Sequence, residues 1–196
     1  MNYKINQKFF FTIILSFITV IVSSQEVYIT NGITFSSAGE GINHSQKSYQ
    51  INLGLNYIKN KWYFLSSNIG FTHKGGYFYK EIINKEESFT RKIDEFSYNY
   101  FSIETLFNVK KCLKSSYLYF GCGPRFDIRI NSPYNSETEV NKTIFGIRLS
   151  TGYNYYISDF IIGLNASYYP SFTKYFKHIN KRDQTFSLGL SLGYRF

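Results

Sequence analysis

The stretch TFSLGLSLGYRF, residues 185–196, decides how this chain is read. Phe186, Leu188, Leu190, Leu192, Tyr194 and Phe196 fall in one phase of a two-residue repeat. Ser187, Gly189, Ser191, Gly193 and Arg195 fall in the other. Such strict alternation describes an extended strand with one side against an apolar medium and the other side polar or tightly packed.

The same alternation recurs upstream. Apolar phases run through Val27, Ile29, Ile33 and Phe35, and through Tyr49, Ile51, Leu53, Leu55 and Tyr57. A third run spans Trp62 to about Thr72, and a fourth, about Phe96 to Val109, aligns Phe101, Ile103, Phe107 and Val109. The fifth, about Ser116 to Ile130, sets Leu118, Phe120, Cys122, Phe126, Ile128 and Ile130 opposite Arg125, Asp127 and Arg129. The sixth, about Lys142 to Tyr156, opposes Phe145, Ile147, Leu149, Tyr153 and Tyr155 to Gly146, Arg148, Ser150, Gly152 and Asn154. The seventh, Phe160 to about Ser171, carries Phe160, Ile162, Leu164, Ala166 and Tyr168.

Short turns at Lys59–Lys61, Lys110–Ser115 and Ile157–Asp159 alternate with longer polar connections, the longest a charged loop over about His73 to Glu95. Tight turns on one side and long loops on the other define an all-β, eight-stranded antiparallel up-and-down transmembrane β-barrel. Each apolar phase covers ~9–11 residues, the length of a tilted membrane-crossing strand. Gly32, Gly54, Gly70, Gly121, Gly123, Gly146, Gly152, Gly163, Gly189 and Gly193 all fall in the polar, inward phase, while Gly39, Gly41, Gly75 and Gly76 fall in expected loops. A narrow lumen requires this, because small inward residues must offset large ones such as Tyr98, Tyr100 and Arg148. Pro124 interrupts the fifth run, where a bulge or a missing ladder bond is expected.

Composition agrees. Mean hydropathy is −0.24 and no second apolar run approaches helix-spanning length, which excludes a helical membrane protein. A barrel tolerates this value because only alternate residues meet lipid. The 20 Phe and 19 Tyr exceed the needs of one small core and suit aromatic girdles at the two interfaces. Residues 1–24 read as a signal peptide: Lys4 and Lys8 precede an apolar run, Phe9 to Val22, and small residues near Gln25. That run is shorter than the ~20 residues of a spanning helix. The chain is therefore expected to be exported to the bacterial outer membrane, with residues 25–196 as one barrel domain. A net charge of +9 then indicates attraction to anionic membrane lipid, and not to nucleic acid. Cys112 and Cys122 are expected as two free thiols. Cys112 falls in a turn, and Cys122 lies near 20 Å up the next strand at ~3.3 Å per residue, beyond disulfide reach. No His/Cys cluster has metal-ligand spacing, and no cofactor is expected.

The middle of the chain carries a family resemblance. YNYFSIETLFNVKK, Tyr98 to Lys111, is similar to the Tyr-Leu-Glu-Ile-Pro-Leu-Leu-Leu-Lys strand of the PorT-like outer-membrane barrels, with Ser102 at that family's Glu and Glu104 at its Pro. SYLYFGCGPRFDIRI, Ser116 to Ile130, resembles the family's next strand, in which Gly-Pro follows an aromatic-rich start. The resemblance implies a small outer-membrane barrel, with some members linked to secretion or gliding machinery. It defines no catalytic set.

Three groups of residues are candidates for function. Glu104, Arg125, Asp127, Arg129, Arg148 and Arg195 are expected to point into the lumen, because an Arg facing lipid at the midplane costs ~2–4 kcal/mol. They make either a salt-bridged plug or, in the alternative, a narrow solute path. Leu192, Tyr194 and Phe196 are expected to form the assembly signal read by the barrel-insertion machinery. Lys174, Tyr175, Phe176, Lys177, Lys181 and Arg182 interleave basic and aromatic side chains in an outer loop suited to anionic lipid or an envelope protein partner. His44, His73 and His178 lie near the expected outer rim, so a lipid-modifying enzyme is a further alternative, with Ser45 and Asp183 as sequence neighbours. The preferred expectation is a non-enzymatic scaffold or interaction protein of the cell envelope.

Overall fold

The computed structural model describes residues 25–37, 46–83, 89–131, 141–174 and 182–196. The expected signal peptide, with Gly39, Gly41, His44, Ser45, His178 and the segment 175–181, lies outside them. Among the described residues, eight antiparallel strands close into a barrel in sequence order, β1 pairing with both β2 and β8. The strands are β1 Glu26–Ser37, β2 Gln46–Tyr57, β3 Tyr63–Ile83, β4 Phe89–Cys112, β5 Ser116–Asn131, β6 Thr143–Ile157, β7 Phe160–Lys174 and β8 Arg182–Arg195. Closure leaves no sheet edge, so every crossing segment finds ladder partners on both sides.

The pleat sorts side chains as the alternation predicts. In β8, Leu188, Leu190 and Leu192 are 50%, 60% and 60% exposed, whereas Ser187 and Ser191 are buried. Tyr98 and Tyr100 are buried inward, and inward glycines make room for other rings, Gly54 and Gly193 for Tyr28 and Gly152 for Tyr119. At Gly32 a side chain is sterically excluded: a Cβ there would stand 2.6 Å from the carbonyl oxygen of Leu188 on β8. The two-residue turn between Ile157 and Phe160 places Ser158 at φ 57°, the sign a tight hairpin needs at its first turn position.

Two expectations are corrected. The charged segment after Thr72 is not a loop from His73 to Glu95. β3 and β4 continue as a paired hairpin to Ile83↔Phe89, at 21 and 24 residues against 12 to 16 for the other strands. Gly75 and Gly76 therefore lie in β3. The amphipathic signal stops near Thr72 because a strand leaving hydrocarbon no longer needs an apolar side, although its backbone can stay paired. At Pro124 the ladder to β4 lacks the Gly123 and Pro124 pairs, but Glu104↔Arg125 and Phe107↔Cys122 keep one register. The missing bond is present there without a bulge, and the register shift lies instead at Asn99/Tyr100.

Candidate functional site: a charge-paired lumen inside an apolar belt

The lumen is filled in tiers. Nearest the long-loop end, Lys74 Nζ on β3 donates to Asp127 Oδ2 on β5 at 2.7 Å and to Asp183 Oδ2 on β8 at 2.5 Å. Arg125 Nε donates to Asp127 Oδ1 at 2.7 Å, and its Nη2 reaches Ser102 and Thr72. Two cations thus face two carboxylates, all buried. The next tier holds Arg148 Nη1 2.7 Å from Glu104 Oε2, with Ser167 accepting from Nε and Nη2. Tyr169 joins the tiers: the Arg125 guanidinium lies 4.0 Å from its ring centre and that of Arg148 5.5 Å, while its hydroxyl meets Gln50 and Ser187.

Below these lies a polar tier. Tyr28 donates to Asn68, Asn154 to Tyr117, Asn165 to Ser191, and Asn108 to Ser66. The enclosed space among these side chains is about 30 Å³, roughly one or two water molecules. At the short-turn end, Glu26 is fully buried and accepts from Asn56, Tyr156 and Lys59. The cation of Lys59 also faces the rings of Tyr117 and Tyr156. Each buried carboxylate in these tiers has a cation partner, the condition under which buried charge is tolerated.

Four of the six lumen charges expected from sequence, Glu104, Arg125, Asp127 and Arg148, are buried inside the barrel. Arg129 is half-buried above them, its guanidinium 5.3 Å from the Tyr98 ring centre. Arg195 keeps the inward phase but sits at the open short-turn mouth. Its side chain is 45% exposed, 3.5 Å from Asp159 and stacked over Tyr156. It is therefore a rim residue, because β8 ends there. Sequence reading missed Glu26, Lys59, Lys74 and Asp183. Lys74 continues the inward phase of Gly70 and Thr72, and Asp183 that of Thr185, so extending those phases would have found both.

The other candidates divide. Leu192, Tyr194 and Phe196 all face outward, and the Tyr194 ring packs between Phe160 and Phe196 at 5.5 and 5.2 Å. Lys174 and Arg182 are exposed and paired across β7 and β8, whereas Tyr175, Phe176, Lys177 and Lys181 lie outside the described residues. His73 faces outward: its Nδ1 is 2.7 Å from Asn99 Oδ1 and its ring stacks on Tyr49. Asp183 belongs to the lumen network and not to the rim. Both cysteines are free and exposed. Among the described residues no group of His, Cys, Asp and Glu could hold a metal ion.

The outer surface carries a continuous apolar belt, including Ile29, Leu53, Phe107, Phe120, Phe145, Ile162, Leu164 and Leu190, all more than 40% exposed. A polar, filled interior under an apolar exterior defines a transmembrane β-barrel of the bacterial outer-membrane class, in which the short turns face the periplasm. Solved structures agree. The chain is similar to Neisserial surface protein A, with a TM-score of 0.61 at 14% identity over 87% of this chain and 96% of that one. It is similar to OprG of Pseudomonas aeruginosa, with a TM-score of 0.56 at 10% identity over 89% and 97%. It is also similar to the outer-membrane enzyme PagL, with a TM-score of 0.50 at 13% identity over 87% and 99%. No family model matches the sequence, and no curated protein sequence matches it. A surface protein and an enzyme share this fold, so the fold alone does not select an activity.

Proposed function

We propose that this chain is a non-conducting, non-enzymatic scaffold or interaction protein of the bacterial outer membrane, acting through its outer surface. The observation that carries this reading is the lumen, where Lys74, Arg125, Arg148 and Lys59 are each tied to a carboxylate within a stack of tiers. A solute path needs mobile or hydrated lining groups, and these are desolvated and mutually bonded. The hairpin of β3 and β4, longer than any other strand pair, supplies backbone beyond the belt for contact with a partner. The PorT-like resemblance adds secretion or gliding machinery as the setting. The basic outer residues Lys174 and Arg182 suit anionic surface lipid.

The test is reconstitution in planar bilayers together with cross-linking in intact envelopes. The reading expects no stepwise conductance and recovery of a neighbouring envelope protein bound at the long-loop end. Stepwise conductance would overturn it. Replacing His44, His73 and His178 separately is expected to leave outer-membrane lipid composition unchanged; a changed lipid profile in any of the three would make the chain an enzyme.

A further inference from the structure

Along the outward phase of β1 run Val27, Ile29, Asn31, Ile33 and Phe35. Asn31 is exposed and lies in the ladder between Ile51 on β2 and Leu190 on β8. Leu190 is midway along β8 between the rings of Phe186 and Tyr194, ~13 Å from each at ~3.3 Å per residue. Asn31 thus presents a carboxamide to the middle of the apolar belt. It is too short to reach headgroup level, as a Lys or Arg would by extending its stem.

The outward hydroxyls of Thr151, Ser67 and Thr105 are satisfied within the barrel. Thr151 donates to the carbonyl of Tyr119 at 3.0 Å, and Ser67 bonds Thr105 and Tyr57 at 3.2 and 3.0 Å. The Asn31 side chain makes no hydrogen bond to any described residue. An amide left in hydrocarbon without a partner is costly, since a lipid tail offers neither donor nor acceptor.

We infer that this face is a homodimer interface, with the Asn31 amide of one copy paired to that of a second copy. A second copy supplies what lipid lacks, and at the required height. Two identical barrels held by the same aromatic girdles place their Asn31 residues at equal depth. A carboxamide is self-complementary, donating N–H and accepting at C=O in a reciprocal pair, as an isologous two-fold contact requires. The relief beside it fits the same symmetry. A shallow depression of about 850 Å³, extending from β2 round to β5, is lined by Asn31 with Gly32, Gly189 and the small Ala166, and also by Leu164 and Leu190, each 60% exposed. Leucines of one copy can seat in the depression of the other.

The test uses disulfide capture in phosphatidylcholine–phosphatidylglycerol vesicles, with folding checked by heat-modifiable migration. Ile33→Cys, one pleat from Asn31, is placed in a Cys112→Ala/Cys122→Ala background. Native Cys122 on β5, four strands away around the barrel in either direction, is the control in a Cys112→Ala background. Mild oxidation should yield covalent dimers through Ile33→Cys and leave Cys122 monomeric. Adding Asn31→Leu should reduce the Ile33→Cys dimer yield about tenfold, whereas Asn31→Gln should retain it. Equal capture through Cys122, monomer alone at Ile33→Cys, or a yield indifferent to Asn31→Leu would each overturn the interface. If Asn31→Leu fails to fold, the comparison of Ile33→Cys with Cys122 decides alone.

Discussion

Arg148 on β6 and Glu104 on β4 meet 2.7 Å apart across the barrel interior, although β5 separates their strands. Both side chains are buried, so the pair bridges β4 and β6 over the inner face of β5.

Removing one member isolates the other. Glu104→Ala should destabilise the barrel by about 3–5 kcal/mol, the typical cost of stranding a buried charge. Glu104→Leu with Arg148→Met should recover most of that loss, because no charge is then left behind. Urea unfolding in vesicles, followed by the fluorescence of Trp62, the single tryptophan, measures both. Equal stability of Glu104→Ala and wild type would mean that the pair does not stabilise the barrel.

Lys74 serves two carboxylates, and they depend on it unequally. Asp127 keeps Arg125 when Lys74 is lost, whereas among the described residues Asp183 keeps only Thr185 as a side-chain partner. Lys74→Met should therefore lower the unfolding midpoint, and adding Asp183→Asn should restore it more than adding Asp127→Asn. The reverse ranking would mean that Asp183 is not held by Lys74.

The two faces of β8 should respond differently to polarity. Leu190→Arg puts a cation against hydrocarbon and should cost ~2–4 kcal/mol and reduce insertion. Ser191→Ala, one residue on, removes bonds to Thr30 and Asn165 and should cost about 1 kcal/mol. Comparing folded fractions in vesicles checks this, and equal losses would contradict the facing of the strand.

The cysteines test the belt directly. Cys112 ends β4 at the short-turn mouth, while Cys122 is flanked by Phe107 and Leu149 in the belt. In protein folded into vesicles with that mouth accessible, a charged maleimide should modify Cys112 to completion before Cys122 is detectably labelled. Rapid labelling of Cys122 would place β5 in water.

The strand count and the facing of β1, β2 and β5–β8 were legible in the residues, because hydrocarbon imposes a simple rule on every second side chain. Beyond Thr72 the rule lapses. Water accepts both faces of a paired strand, so the continuation of β3 to Ile83 left no alternation to read. Pro124 was legible as an interruption of the ladder, but whether it shifted the register was not, since that depends on how β4 closes against it.

Local sequence therefore determined which side chains enter the lumen, through a repeat that each strand carries by itself. It could not determine which of them meet. Glu104 finds Arg148, Lys74 finds Asp183, and Arg195 is left at the mouth because strand stagger around a closed barrel sets the height of each residue. That stagger exists only once all eight strands are paired.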